Sequence, residues 1–218
     1  MMRAAFLGWL VALGLGLSSE PLLAHEKHKH NPLTPSVTPG DTQPVAIGGD
    51  DLPFTVGGPF SLIDQNGRTV TEADFLGRPF LVFFGYSNCE DFCPVGLQVM
   101  LEALDHLGAR GAALQPVMIT VDPDHDTPEV LAAFAAELDP RLTALTGTAE
   151  SLASVWKAYH VNTKKLPPSI LTGQPVFAHD AYLYLMGSRG EFLTLLPPIL
   201  SASRMAEIIA AYLGAPQG

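Results

Sequence analysis

Cysteine is scarce in this chain of 218 residues, which contains only Cys89 and Cys93. Neither of them lies near the start of the sequence, so lipidation on an N-terminal cysteine is not expected. Because there is no third cysteine, any disulfide within the chain must join these two. The thiol chemistry of the chain is therefore concentrated in one short segment.

Basic residues are also few: 12 Lys and Arg stand against 22 Asp and Glu, which gives a formal net charge of −10. The basic residues are scattered along the chain. This balance argues against nucleic-acid binding and offers no polybasic patch for a membrane surface. The sequence also contains no internal repeat.

The first apolar run is shorter than the roughly 20 residues that a membrane-spanning helix requires. It covers residues 4–17, follows Arg3 and is interrupted by the segment Ser18–Pro21. A positive start and a short apolar core predict a secretory signal over residues 1–24, cleaved after Ala24. The alternative is an uncleaved N-terminal membrane anchor. In either form the globular part is exported to the periplasm or another extracytoplasmic compartment.

A short histidine-rich tract follows the leader, with His25, His28 and His30 within six residues. Such a tract can bind metal, so it is a candidate accessory site, although a solvated tail with incidental histidines is the alternative. The tract opens a segment rich in Pro, Gly and Thr, and we predict a flexible tail and linker over residues 25–56. Residues 57–218 then form one domain of about 160 residues.

The two cysteines lie between a predicted strand and a predicted helix. Phe80–Phe84 is an unbroken apolar run that predicts a strand buried on both faces, and Gly85 permits a tight turn. Beyond Pro94 a helical apolar face follows, formed by Leu97, Met100, Leu101 and Leu104. Both thiols are thus expected at or just before the positive end of a helix, which favours the thiolate.

Three interpretations of the cysteine pair compete. A purely structural disulfide would close a loop of only a few residues, so it would contribute little chain entropy. A thiol redox pair is compatible with the spacing, because residues i and i+4 of a helix lie within bonding reach. A metal site is the third interpretation, since two thiolates select Cu(I) or zinc but need at least one further ligand such as histidine. The spacing alone does not decide between redox and metal chemistry.

The remaining pattern predicts an α/β fold with a central mixed sheet flanked by helices and an extra N-terminal β-hairpin. The hairpin is predicted to turn at Asn66-Gly67. Thr127 and Thr148 are predicted to be helix N-caps, and Asn162–Pro175 is predicted to be a loop. The other predicted elements are strands at 116–121 and 142–145, a hairpin over 181–195 and a helix at Ser203–Leu213.

The segments Phe84–Pro94 and Thr120–Pro128, together with an isolated His179, resemble the Sco/SenC family. The resemblance covers roughly residues 57–213. It implies a thioredoxin-like fold and a role in assembling the copper centre of cytochrome c oxidase. It also implies that Cys89, Cys93 and His179 are the copper ligands.

Two positions depart from the family pattern. Glu90 replaces a usual proline and adds a negative charge beside Cys89, which favours a bound cation. Ala178 replaces a usual aspartate before the histidine, and we expect the carboxylate of Asp180 to serve in its place.

Other residues that could bind metal are assigned structural roles. His106, His125 and His160 are expected at the surface, with His125 also a candidate neighbour of the site. Asp122 and Asp126 are predicted to shape their turn and to cap the following helix. Met100 and Met186 are expected in the core.

The first functional hypothesis is an exported, monomeric copper chaperone that holds one Cu(I) or Cu(II) ion through two thiolates and an imidazole. Its partner would be the copper-bearing subunit of cytochrome c oxidase or another copper chaperone. The second is an enzyme, a thiol–disulfide oxidoreductase that reduces the cysteines of a copper-site apoprotein through Cys89 and Cys93. In both, oxidation joins Cys89 and Cys93 in a disulfide. A peroxide-reducing relative of thioredoxin is the weakest alternative, because the sequence carries no peroxidase-type signature.

Overall fold

The computed structural model describes residues 52–89 and 93–214, with the side chains of Cys93 and Pro94 outside that description. The leader, the histidine tract and Glu90 lie outside the described residues. The strands are β1 Ser61–Asp64, β2 Thr69–Thr71, β3 Phe80–Gly85, β4 Gln115–Thr120, β5 Thr143–Thr146, β6 Thr163–Leu166, β7 Val176–His179, β8 Leu183–Met186 and β9 Phe192–Leu196. The helices are α1 Cys93–Leu107, α2 Ala109–Ala112, α3 Pro128–Leu138, α4 Ala149–Ala158 and α5 Ala202–Leu213, and a short 3₁₀ helix spans Glu72–Phe75.

The central sheet has seven strands in the order β2-β1-β5-β4-β3-β8-β9. Strands β3, β4 and β5 run parallel, while β1 and β8 join them in antiparallel fashion. All six residues of β3 are buried, as its unbroken apolar run predicts. The predicted mixed sheet is confirmed, and the N-terminal hairpin β1–β2 extends one of its edges.

Helices α1 and α5 pack against each other, and both follow the predicted apolar periodicity. The fully buried residues of these two helices include Leu97, Met100, Leu104, Met205 and Ile209. Gly96 brings the first turn of α1 close to the sheet: a Cβ atom at this position would lie 3.1 Å from the ring of Phe83. The helix that begins at Cys93 therefore packs closely against strand β3.

The predicted loop over Asn162–Pro175 is wrong in part, because residues 163–166 form strand β6. This strand pairs antiparallel with β7 in a separate two-stranded sheet, in which Thr163 lies opposite His179. Its two central residues, Lys164 and Lys165, are exposed, so the sequence carries no alternation of apolar and polar residues that would reveal a strand. Pairing with β7 supplies the stabilisation that the local sequence lacks.

The segment before β1 packs onto the end of α4. Gly57 donates a backbone hydrogen bond of 2.9 Å to the carbonyl of Ala158, and Val56 is buried. His160 lies at the surface as predicted, with Nε2 3.0 Å from the carbonyl oxygen of Thr55. Within the described part of the chain, no helix has the length and apolar character needed to cross a membrane.

Candidate metal centre

The cysteine segment begins where β3 leaves the sheet. After Tyr86 the chain makes a tight turn, in which the backbone N–H of Cys89 lies 3.4 Å from the carbonyl oxygen of Tyr86. Cys89 is half-buried and packs against the hydrophobic core. Cys93 is the first residue of α1, so the predicted strand–turn–helix arrangement is confirmed. At the start of a helix, the N–H groups without intrahelical partners and the helix dipole stabilise a negative charge.

His179 is the last residue of β7, and its ring is oriented by a hydrogen bond. Its Nδ1 atom lies 3.1 Å from the carbonyl oxygen of Asp180. Because a carbonyl oxygen can only accept, Nδ1 must carry the proton, and the lone pair of the neutral ring is then on Nε2. This tautomer is the one that binds a metal through Nε2.

Aromatic rings connect His179 to the cysteine segment. The ring of His179 lies edge-on to Phe83 at 6.3 Å and to Tyr86 at 6.2 Å between centroids. Tyr86 also packs on Phe177 at 5.4 Å and accepts a 3.4 Å hydrogen bond from its backbone N–H. Tyr86 therefore contacts both the turn that carries Cys89 and the strand that carries His179.

The prediction that the carboxylate of Asp180 replaces the missing carboxylate at position 178 is wrong, because a different group of Asp180 contacts His179. The Asp180 carboxylate accepts hydrogen bonds of 2.9 Å from both the backbone N–H and the side-chain amide of Asn162. It is the backbone carbonyl of Asp180 that holds His179. A backbone carbonyl needs no particular side chain, so this arrangement tolerates Ala178, whose own side chain is exposed on β7.

The loop after β4 contributes a contact that sequence reasoning missed. Thr127 caps α3 as predicted, with its hydroxyl accepting from the N–H of Val130. Asp126 was predicted to help with that cap, but it is fully buried and accepts hydrogen bonds from Thr120 and Ser87. Ser87 lies two residues before Cys89. No local motif reveals this contact, because the partners are 39 positions apart.

Asp122 does shape the turn, since its carbonyl accepts from the N–H groups of His125 and Asp126. Its carboxyl group is buried, and among the described residues its Oδ2 atom has no hydrogen-bond partner. Burial, and then the nearby charge of Asp126, raise the pKa of Asp122.

The remaining predicted positions fall as follows. His106 is exposed, and Met100 and Met186 are fully buried, as predicted. The side chain of His125 is 40% exposed, and its Nδ1 lies 3.1 Å from Asp126. His25, His28 and His30 lie outside the described residues, as does the thiol of Cys93. Among the described residues, no three His, Cys, Asp or Glu side chains are grouped so that they could hold a metal ion.

Comparison with known proteins places these features in a family. The sequence model of the SCO1/SenC family matches residues 49–214. Protein SenC of Rhodobacter capsulatus is 37% identical over 164 residues, which are 74% of this chain and 72% of that protein. The mitochondrial SCO1 homologue of mouse is 36% identical over 160 residues, which are 72% of this chain and 56% of that protein. The chain thus spans only about half the length of this mitochondrial relative.

Solved structures that are similar to this chain belong to the same family. The copper-bound ScoI of Bradyrhizobium japonicum has a TM-score of 0.65 and 35% identity, covering 72% of this chain and 99% of that one. The copper-bound Sco1 of yeast has a TM-score of 0.67 and 33% identity, covering 75% and 92%. These neighbours confirm the predicted thioredoxin-like fold. Taken with the match over residues 49–214, they show that the chain belongs to the SCO1/SenC family.

Proposed function

We propose that this chain is an exported copper chaperone that binds one copper ion through the thiolates of Cys89 and Cys93 and through Nε2 of His179. It would deliver that ion to the copper-bearing subunit of cytochrome c oxidase or to another copper chaperone. The family supports this target, and the relatives with copper bound support the metal.

The orientation of His179 carries the proposal. Its Nδ1 proton is held by the carbonyl of Asp180, which puts the lone pair on Nε2, as a metal ligand requires. The edge-on rings of Phe83 and Tyr86 hold the imidazole at the end of the sheet where the cysteine segment begins. Two soft thiolates and an imidazole form a donor set suited to Cu(I) and able to hold Cu(II).

Copper loading then depends on the redox and protonation states of the thiols. Thiolates bind metal, so loading releases thiol protons, and the helix that starts at Cys93 lowers the cost of that release. A disulfide between Cys89 and Cys93 cannot supply thiolates. Only the reduced protein is therefore expected to accept copper.

The test is copper stoichiometry and Cu(I) affinity of the full chain carrying alanine at positions 25, 28 and 30, so that the histidine tract adds no copper. We expect one tightly held copper in the reduced protein and none after oxidation of the thiols. His179→Ala should weaken the affinity by at least about tenfold, because it removes a ligand. His160→Ala is the matched control, since it removes an exposed histidine at the end of α4.

Absence of bound copper in the reduced protein would overturn the proposal. Binding that survives His179→Ala would keep the metal and reject His179 as a ligand. Either result is readable by elemental analysis and by competition with a chromogenic Cu(I) chelator.

A second candidate, the thiol–disulfide oxidoreductase, is favoured by one observation: α1 begins at Cys93, so the pair lies at a helix N-terminus that stabilises a thiolate. In this reaction one thiolate attacks the partner's disulfide, and the other resolves the mixed disulfide and forms the Cys89–Cys93 bond. His179→Ala separates the two functions. A reductase would retain its rate of disulfide reduction in this variant, whereas a chaperone would lose copper.

A further inference from the structure

The carboxylate of Asp126 is fully buried, and its hydrogen-bond partners Ser87, Thr120 and His125 all lie outside α3, the helix that follows it. Thr127, not Asp126, caps α3. The Asp126 carboxylate instead bridges two separate chain segments. One is the end of β4, and the other is the turn that leads from β3 to Cys89.

At the strand end, the hydroxyl of Thr120 donates a 2.6 Å hydrogen bond to Oδ2 of Asp126. At the cysteine turn, the backbone N–H of Ser87 donates to the same carboxylate at 3.2 Å, and the Ser87 hydroxyl donates to Oδ1. His125 completes the set, with Nδ1 3.1 Å from Oδ1 of Asp126 and 3.3 Å from Oγ of Ser87.

These bonds join positions that the sheet already brings together. Strands β3 and β4 run parallel, and Gly85 lies opposite Thr120 in their register. The two loops that leave these strands are not fixed by that register, because ladder hydrogen bonds end there. Beyond the ladder, Asp126 holds Ser87, which lies two residues before Cys89.

A second and weaker tether holds the same turn. The side-chain amide of Asn88 lies 3.3 Å from Oε1 of Gln174, which precedes β7. This bond is exposed to solvent, so it contributes less than the buried contacts of Asp126. The turn between Tyr86 and Cys89 is therefore ordered mainly from the Asp126 side.

We propose that Asp126 is a positioning residue for the thiol pair: through Ser87 it fixes the turn that carries Cys89, and so it sets the copper affinity and the stability of the Cys89–Cys93 disulfide. The copper part rests on the proposed function, whereas the disulfide part does not. An anchored turn keeps the Cys89 sulfur in the position that a bond to copper or to Cys93 requires. A loose turn must be ordered each time such a bond forms.

Two measurements on the full chain test this inference. The first is Cu(I) affinity, by competition with a chromogenic chelator. The second is the equilibrium with glutathione, in which the Cys89–Cys93 disulfide takes two electrons and two protons from two reduced glutathiones and releases one glutathione disulfide.

Asp126→Asn keeps the shape of the side chain but replaces one acceptor oxygen with a donor. We expect about 10- to 100-fold weaker Cu(I) binding, as for other groups that orient metal ligands, and an equilibrium shifted about tenfold toward the dithiol. Ser87→Ala removes only a hydroxyl from a half-buried position, and both shifts should be smaller but in the same direction.

Asp64→Asn is the matched control, because it changes another buried aspartate that holds a turn in the N-terminal hairpin. It should leave both values within about threefold, since among the described residues the Asp64 carboxylate bonds only to Asn66 and Arg68 of its own turn.

Unchanged affinity and an unchanged glutathione equilibrium in Asp126→Asn would overturn the inference, as would equal shifts in Asp64→Asn. If Asp126→Asn does not fold, Ser87→Ala decides by the same two values. If the wild-type protein binds no copper, the proposed function fails, and the glutathione equilibrium still decides whether Asp126 positions the thiols.

Discussion

Two turns of this protein are each held by a buried aspartate, but the partners lie at different distances along the chain. Asp64 ends β1 and accepts from the backbone N–H groups of Asn66 and Arg68 at 2.8 and 2.9 Å. The guanidinium of Arg68 adds bonds to the same carboxylate. Asp126 accepts from Ser87, which lies 39 positions earlier.

The difference separates a self-contained turn from one that depends on the whole sheet. Among the described residues, every hydrogen-bond partner of the Asp64 carboxylate lies within four residues, so this turn can form locally. Ser87 and Asp126 meet only after β3 and β4 have paired. The geometry of the cysteine turn is therefore coupled to the folded state of the domain, whereas that of the hairpin turn is local.

The largest effect is expected from Asp126→Ala compared with Asp64→Ala. Loss of Asp126 leaves the Thr120 hydroxyl and the Ser87 N–H without their acceptor, one buried and one half-buried, and we expect a loss of about 3 kcal/mol in unfolding free energy. Loss of Asp64 should cost about 1 kcal/mol, because the Arg68 side chain is 74% exposed and can bind water. Urea denaturation followed by circular dichroism measures both. Equal losses would show that the separation in sequence has no energetic consequence.

The same contrast explains which parts of the fold the sequence predicts. The Asn66-Gly67 turn, the Thr127 cap and the apolar face of α1 each depend on neighbours within a few residues, and all are found as predicted. Asp126 was assigned to the adjacent helix because local rules consider only nearby partners. Its true partner is visible only when the parallel pairing of β3 and β4 is known.

The surroundings of His179 show the same limit to what the sequence predicts. The sequence singled out this residue by family resemblance, but it did not predict β6, which pairs with the strand that carries it. Nor did it predict that a backbone carbonyl would orient the ring. Backbone contacts of this kind leave no side-chain signature, so a sequence pattern cannot report them.

Gly96 in α1 and Gly67 in the hairpin turn give a second, smaller test. Gly96→Ala places a Cβ atom 3.1 and 3.2 Å from the ring of Phe83, which packs edge-on to His179. We expect a loss of about 1–2 kcal/mol from overpacking, even though alanine favours helix, together with weaker copper binding. Thermal unfolding and Cu(I) competition measure the two effects.

Gly67→Ala is the control in the hairpin turn. Gly67 has φ of 76° with nothing near its added Cβ atom, so the expected cost of about 1 kcal/mol is backbone strain alone. Copper affinity should not change in this variant. If Gly67→Ala weakens copper binding as much as Gly96→Ala does, the hairpin is not independent of the site.

The smallest expected effect is a difference in pH dependence between Asp64 and Asp122. Burial opposes ionisation of Asp64, but the hydrogen bonds from Arg68 and Asn66 outweigh it, so the pKa of Asp64 lies below its ordinary value of 3.8. Its stabilising contribution is present above pH 3.8 and is lost as the pH falls through the folded pKa. Asp122 has the opposite sign, because burial and the charge of Asp126 raise its pKa above 3.8.

The folded state therefore holds the Asp122 proton more tightly than the unfolded chain does. The resulting stabilisation is complete below pH 3.8 and disappears as the pH rises through the folded pKa. Asp122→Asn removes this titration, so above pH 3.8 its unfolding free energy should rise with pH relative to wild type. Urea denaturation at half-unit pH steps measures how the unfolding free energy changes with pH. An Asp122→Asn profile parallel to that of wild type would show that ionisation of the buried Asp122 carboxyl does not lower the stability.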